Sequence, residues 1–387
     1  MRFADALAQP GLQAIAEFKR RSPSAGDIRP DARVEEIVPG YAGAGAAGIS
    51  VLVDDRFGGS IEDLVAARAA TTAPLLAKGF FSTEDELLEL RRAGADCVLL
   101  LLRDLDDDTT SRLLAYARDL EMDALVEAHD AAELQRAMAL DAPIVGVNSR
   151  DLSTFRIERA QQLDLVARAA LDTDRIVVAE SGIHTRAQGA AAEVAGAAAI
   201  LVGSSLMRAR DPHAKLQELL SRPLVKVCGL TRQEDVEAAV EAGADLLGFI
   251  HAEGTPRYIP APLATPDTVL AVSVFVEETT PTDADLVQFH PDKGRAVRSR
   301  EALILRDGVE VARVLDQPWQ EHDPGHWDQA ADAGGRVVLA GGLGPDNVRD
   351  AIARVRPWAV DASSSLEREP GIKDHDKVKR YVEAVRA

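Results

Sequence analysis

Short apolar runs recur along the first 220 residues, and helix-like segments separate most of them. The runs fall at "AIAEFK" (14–19), "GISVLVD" (48–54), "PLLAKGF" (74–80), "DCVLLLL" (96–102), "DALVEAH" (123–129), "IVGVNS" (144–149), "RIVVAES" (175–181) and "AAILVGS" (198–204). Intervening segments such as "TEDELLELRRAGA" and "DDTTSRLLAYARDLE" place apolar residues at i, i+3, i+4, the signature of an amphipathic helix. The strand-like runs are nearly continuous rather than alternating, as expected of a parallel sheet covered on both faces. Eight such strand–helix units predict an α/β fold, a (β/α)₈ barrel over residues 1–221. A doubly wound open sheet is the competitor. It would usually carry a Gly-rich loop after its first strand, whereas Lys-Arg-Arg-Ser-Pro follows here.

A second series starts near Pro223 and runs to the end, over residues 222–387. Its strands are "LVKVCG", "DLLGFIH", "AVSVFVE", "DLVQFH", "VARVLD", "RVVLAGG" and "WAVDASS"; its clear helices are "RQEDVEAAVEAG", "PDNVRDAIARV" and "DHDKVKRYVEAV". The middle, roughly 253–330, is rich in Pro, Asp and Thr, and "LILRDGVEV" reads as an Asp-Gly hairpin, which a purely parallel barrel lacks. The pattern predicts a second, consecutive TIM barrel, shortened and with helices missing in its middle.

Composition narrows the function. The formal charge of −19 argues against general binding to nucleic acid or anionic membranes, since both need a basic face. No window approaches the roughly 18 apolar residues of a membrane span, and no signal-peptide run opens the chain. Two cysteines in separate regions give no disulfide framework, so a reducing cytoplasm fits. Cys97, inside "DCVLLLLR", reads as a small buried hydrophobe.

In such barrels chemistry sits at the C-terminal strand ends. Those ends carry Glu17 and Lys19, then Lys78, Glu127 and Asn148, then Glu180 with Ser181 and Gly182, and finally Gly203 with Ser204. Any one of these alone is as well explained by an ion pair or a loop cap. Five strands delivering polar groups to one rim are not. "ESGI" and "VGSS" offer backbone N–H groups to an anion, where phosphate commonly binds such barrels; tight-turn chemistry is the plainer reading of each alone. In the second series Cys228 stands at a strand tip, just before a turn, and "LAGGLGPDN" and "DASSS" repeat the small-residue character.

These motifs resemble two consecutive enzymes of tryptophan biosynthesis. Residues 1–221 resemble indole-3-glycerol phosphate synthase through "IAEFKRRSPSAG", "FGGSIEDL", "LLAKGFF", "LVEAH", "GVNSRDLSTF", "VAESGI" and "ILVGSSLM". Residues 222–387 resemble phosphoribosylanthranilate isomerase through "VKVCGLTR", "GADLLGF", "TPRYI", "LAGGLGPDNV" and "VDASSSLEREPGIKD". The resemblance implies proton-transfer chemistry without metal or organic cofactor, on phosphosugar anthranilate substrates, in an expected monomer. In the first half it makes Lys78 the general acid at the ketone, Glu127 the proton-transfer partner and Lys19 the carboxylate contact. Glu17, Asn148, Arg150 and Glu180 would orient the substrate, and Ser22, Ser181, Gly182, Gly203 and Ser204 would hold its phosphate. In the second half it makes Cys228 the general base and Asp316 the general acid. Arg257 would bind the anthranilate carboxylate, and Gly341, Gly342, Asp361, Ser363 and Ser364 would shape the phosphate site.

The chain also departs from the two families. Gly79 replaces the usual Asp after the catalytic lysine, removing an ion pair that could steer Lys78. About a dozen residues precede the first strand, so poorer exclusion of water is expected. "QPWQEHDPGHWD" replaces a Gly-rich loop after Asp316, and Ser365 replaces a glycine. Lys226 is expected on the side of its strand away from Cys228. His251, His290, His322 and His326 fit no metal-ligand spacing and are expected in solvated loops. The alternative reading keeps the synthase and makes the C-terminal half a non-catalytic or degenerate phosphosugar-binding module.

Overall fold

The computed structural model describes residues 2–22, 26–148, 158–172, 174–291, 301–317 and 325–387. They form two compact units, Met1–His184 with Gly189–Leu220, and Thr185–Gln188 with Ser221–Ala387.

The first unit is a closed barrel of eight strands, β1 (Gln13–Phe18), β2 (Gly48–Leu52), β3 (Leu75–Lys78), β4 (Cys97–Leu101), β5 (Asp123–Ala128), β6 (Ile144–Asn148), β7 (Ile176–Glu180) and β8 (Ala199–Val202). Neighbouring strands are parallel throughout. Alternation along β1 explains the continuous apolar runs. Ala14, Ala16 and Phe18 face the outer helices, while Ile15 joins a cluster inside the barrel. Inside, alternate strands supply layers. Ile15, Leu76, Leu125 and Val178 from β1, β3, β5 and β7 are all fully buried. Two residues further on, the same strands place Glu17, Lys78, Glu127 and Glu180, so a charged layer lies directly above an apolar one.

The opposite end of this barrel is closed by the chain's own start. Helix α1 (Phe3–Leu7) adds Phe3 and Leu7 to the inner cluster, and the Ala4 N–H donates to Asp123 at the beginning of β5 at 3.0 Å. The outer helices start at clear signals. Thr83 and Glu86 form a reciprocal capping box for Glu84–Ala93, and Asp130 accepts from the N–H groups of Ala132 and Glu133.

The second unit is also a closed barrel of eight strands, β9 (Leu224–Cys228), β10 (Leu246–Ile250), β11 (Leu270–Val276), β12 (Leu286–His290), β13 (Glu301–Arg306), β14 (Val309–Leu315), β15 (Val337–Leu339) and β16 (Ala359–Ala362). It is not purely parallel. Strand β13 runs antiparallel to both β12 and β14. The Asp-Gly hairpin is its cause: Asp307 at φ 51° and Gly308 at φ 79° make the tight two-residue turn that twisted strands favour. Residues 251–269 and 277–285 connect their strands without an α-helix, as the sequence predicts. Strand β14 still runs parallel to β15, β16 and β9, so residues following β14 and β9 reach the same rim.

Candidate active sites

The charged layer of the first barrel is one connected cluster. Lys78 Nζ lies 2.6 Å from Glu180, 3.5 Å from Glu17 and 3.6 Å from Glu127. Lys19 pairs with Glu17 at 2.6 Å, and the Asn148 amide donates to Glu127 at 3.0 Å. All six residues are largely or wholly buried. Two glycines make room for the carboxylates. A Cβ at Gly146 would stand 2.2 Å from Glu180 Oε1, and one at Gly203 would stand 2.3 Å from Glu17 Oε1.

Burial and charge act against each other here. Burial alone would lower the Lys78 ammonium, but Glu180, Glu17 and Glu127 overcome it and hold Lys78 well above its usual range. Burial would raise Glu17, but Lys19 and Lys78 hold it below the usual carboxylate range. Glu127 is likewise held low against burial, by Lys78 and His129. Glu180 goes the other way: burial and the Glu127 charge push it up, with Lys78 opposing. Of these carboxylates, Glu180 therefore takes a proton first. Glu127 Oε2 and Glu180 Oε1 are buried without a hydrogen-bond partner among the described residues.

A cavity opens above this cluster. Glu17, Lys19, Lys78, Glu127 and Asn148 line it together with Ser22, Ser181, Gly182, Gly203 and Ser204. The sequence thus brings both its polar rim and its small-residue turns to one place. Ser181 and Gly182 are consecutive left-handed residues, at φ 69° and 72°, and Ser181 pays a steric cost that glycine would not. Leucines and two aromatics, Phe57 and Phe80, with ring centroids 6.4 Å apart, form the apolar wall. Arg150 lies outside the described residues.

Four polar residues that the sequence reading leaves out also line the cavity, Arg103, His129, His184 and Ser205. His129 bridges Glu127 (3.1 Å) and Glu133 (3.0 Å). Burial would lower its imidazole, but the two carboxylates raise it to about 9. "EAH" followed by a helix with Glu at its third position is the signal for it. At Gly79 a Cβ would stand 2.7 Å from the Phe81 ring. The Phe81 ring takes the space that a side chain at position 79 would need, and Lys78 is surrounded instead by three glutamates.

The second barrel has a buried polar interior at the same height. Cys228, 6% exposed, ends β9. Its thiol fits because β10 offers Gly248 opposite it; a Cβ there would be 2.5 Å from Sγ. Lys226 corrects the expectation stated above. Residues two apart on a strand share a face, and Lys226 points into the barrel with Cys228, fully buried. Its Nζ lies 2.6 Å from Asp361 and donates to Gln288 at 2.8 Å. Asp361 is therefore turned inward against Lys226, and its negative charge does not suit it to hold a phosphate. Asp316 follows β14 and is buried, on the rim that Cys228 shares by strand direction.

Arg257 is gripped by Glu367 through two hydrogen bonds of 2.7 Å, and Lys373 joins Glu367 at 3.0 Å. Glu367 and Lys373 are further residues that the sequence reading does not single out, although both lie in "SLEREPGIKD". Gly341 and Gly342, both left-handed, follow β15; Ser363 and Ser364 follow β16. Ser365, in place of a glycine, donates to the Leu343 carbonyl and ties these two turns together. The histidines depart from expectation. His290 and His326 are buried, and His251 is held by Ile259 O (2.6 Å) and Ser273 (2.9 Å). His322 lies outside the described residues.

Comparison with known proteins decides between the readings. Residues 1–219 match the family described as indole-3-glycerol phosphate synthase, and residues 325–384 match N-(5'phosphoribosyl)anthranilate isomerase. The tryptophan biosynthesis protein TrpCF of Yersinia pestis is 34% identical over 96% of this chain and 84% of its own length. This chain belongs to the bifunctional indole-3-glycerol phosphate synthase–phosphoribosylanthranilate isomerase family. An indole-3-glycerol phosphate synthase of Nocardioides sp. is 45% identical over 54% of this chain and 80% of its own. A multifunctional tryptophan biosynthesis protein of Schizosaccharomyces pombe is 31% identical over 99% of this chain, which spans 61% of that longer protein. The bifunctional enzyme thus acts in tryptophan biosynthesis as a decarboxylating lyase and as an isomerase, and the comparisons give no support to a non-catalytic second half.

Proposed function

We propose that residues 1–221 perform the ring closure and residues 222–387 the isomerisation, with the residues below in the roles given. The observation that carries the first assignment is Lys78 held as an ammonium by three buried glutamates at the floor of one cavity. Ring closure forms a bond between the aryl carbon and the ketone carbon of 1-(2-carboxyphenylamino)-1-deoxyribulose 5-phosphate. The ketone oxygen becomes a hydroxyl by taking the Lys78 proton, and carbon dioxide leaves the aryl carbon. The hydroxyl then leaves as water with a second proton, delivered by Lys78 once solvent has reprotonated it, as a proton is lost from the methylene carbon beside the nitrogen. Glu127, held ionised, is the base that completes dehydration. The aryl ring has an apolar wall with Phe57 and Phe80 to lie on. Lys19 meets the carboxylate; Ser22, Ser181, Gly182, Gly203 and Ser204 meet the phosphate. Glu17, Asn148 and Glu180 hold the reacting side chains in place.

In the isomerase unit Asp316 protonates the ring oxygen of phosphoribosylanthranilate as the ring opens. Cys228 then removes the proton from the adjacent carbon, and tautomerisation gives the ketone that the synthase unit consumes. Arg257, with Glu367 fixing its guanidinium, presents its free edge to the carboxylate. Gly341, Gly342, Ser363 and Ser364 cup the phosphate. The enzyme works as a monomer in the cytoplasm on small phosphosugar substrates, a reading consistent with its charge and with the lack of a membrane-length apolar helix among the described residues. Substituting Lys78 by Met tests the synthase assignment. Ring closure is expected to fall by roughly 10²–10⁴ while isomerisation continues; unchanged ring closure would refute it.

A further inference from the structure

A lysine and an aspartate buried inside a barrel need a reason. Desolvating such a pair costs several kcal/mol per ion, and an apolar pair of similar volume is often as stable. Lys226 is fully buried, and Asp361 is 6% exposed with Oδ1 lacking a hydrogen-bond partner among the described residues. Register places the two side by side on β9 and β16, and Gln288 from β12 completes the ammonium's partners. Cys228 lies two residues beyond Lys226 on the same inward face, and both are buried.

The reading of Cys228 as base sharpens the question, because burial works against a thiolate. We propose that Lys226 is a positioning residue for Cys228: its ammonium is the charge that stabilises the thiolate inside the barrel, and Asp361 sets how much of that charge the sulfur feels. The inference rests on the proposed role of Cys228, but its main test does not.

The electrostatic setting supports it. Burial raises the Cys228 thiol; Lys226 opposes that rise most strongly, Asp361 reinforces it, and Lys373 gives further opposition. Asp361 in turn keeps Lys226 charged despite burial. The other charged and titratable groups on the elements around the sulfur are Arg257 with Glu367, and His290 and Asp316 on β12 and after β14. Lys373 and Arg257 are both committed to Glu367, whereas among the described residues Lys226 pairs with Asp361.

The test is the pH dependence of Cys228 alkylation by iodoacetamide in the intact chain, read by peptide mass spectrometry so that Cys97 is counted separately. Lys226→Met is expected to move the midpoint up by about one unit or more, roughly a tenfold loss of thiolate at neutral pH. Asp361→Asn is expected to move it down. Isomerase kcat/KM in Lys226→Met should fall about tenfold at neutral pH and recover as pH rises, a response that a merely structural lysine does not give. Removing Lys226 alone leaves Asp361 uncompensated and can unfold the unit. The double variant Lys226→Met, Asp361→Leu removes both charges, and its midpoint too is expected above that of the native chain. Midpoints unchanged in folded variants would overturn the proposal. Cys228→Ser tests the base reading separately: full isomerase turnover there would refute that role while leaving the alkylation result standing on its own.

Discussion

Glu180 and Gly146 show how tightly the synthase chemistry is specified. The missing Cβ of Gly146 is the space that the Glu180 carboxylate occupies. Gly146→Ala should therefore displace Glu180 from Lys78 and lower ring-closing kcat by at least about tenfold, on the order of a 1.4 kcal/mol loss, with a near-native circular dichroism spectrum. Gly203→Ala should act similarly through Glu17. His129 carries a pH signature. Its imidazole is raised to about 9 when folded, from about 6.5 unfolded. The stabilisation it gives is full below pH 6.5 and is lost as pH rises through 9. His129→Asn should flatten the fall in thermal stability over that window, which melting curves at stepped pH will read. Among single residues the sequence revealed the charged cluster around Lys78, because charges at the ends of apolar runs are conspicuous, but not Arg103, His129, His184 or Ser205. It concealed partners in space. Glu367 is distant from Arg257 in sequence, and Lys226 was placed on the wrong face although strand alternation assigns it to that of Cys228.

The strands and helices of the first barrel were legible because each strand is apolar on both faces and each helix is amphipathic. The second barrel was legible at its ends and obscure in its middle. There β13 turns back on β14 through Asp307 and Gly308, and a strand whose neighbours are both antiparallel has no helix to announce it. That hairpin is a point of stability. Gly308→Val puts a β-branched residue at φ 79° and should destabilise the isomerase unit by about 1–2 kcal/mol. Isomerase activity would then be lost at a lower temperature than in the native chain, with ring closure unaffected. The small-residue turns after β7, β8, β15 and β16 were recognisable as anion-friendly from composition alone. After β7 and β8 the turn residues named from the sequence, Ser181, Gly182, Gly203 and Ser204, all line the cavity.

At the scale of the molecule, two barrels on one chain carry consecutive reactions, and the product of the second unit is the substrate of the first. A strongly negative chain that handles anionic substrates must concentrate its cations where they are used, and the synthase unit does so with Lys19, Lys78, Arg103 and His129 around one cavity. The most direct measurement supplies phosphoribosylanthranilate to the purified protein and follows both 1-(2-carboxyphenylamino)-1-deoxyribulose 5-phosphate and indole-3-glycerol phosphate over time. The native chain should form both in sequence. Lys78→Met should stop at the first compound, and Cys228→Ala should form neither yet still close the ring when given the first compound directly. Indole-3-glycerol phosphate appearing at the native rate from Lys78→Met, or from phosphoribosylanthranilate with Cys228→Ala, would contradict the account.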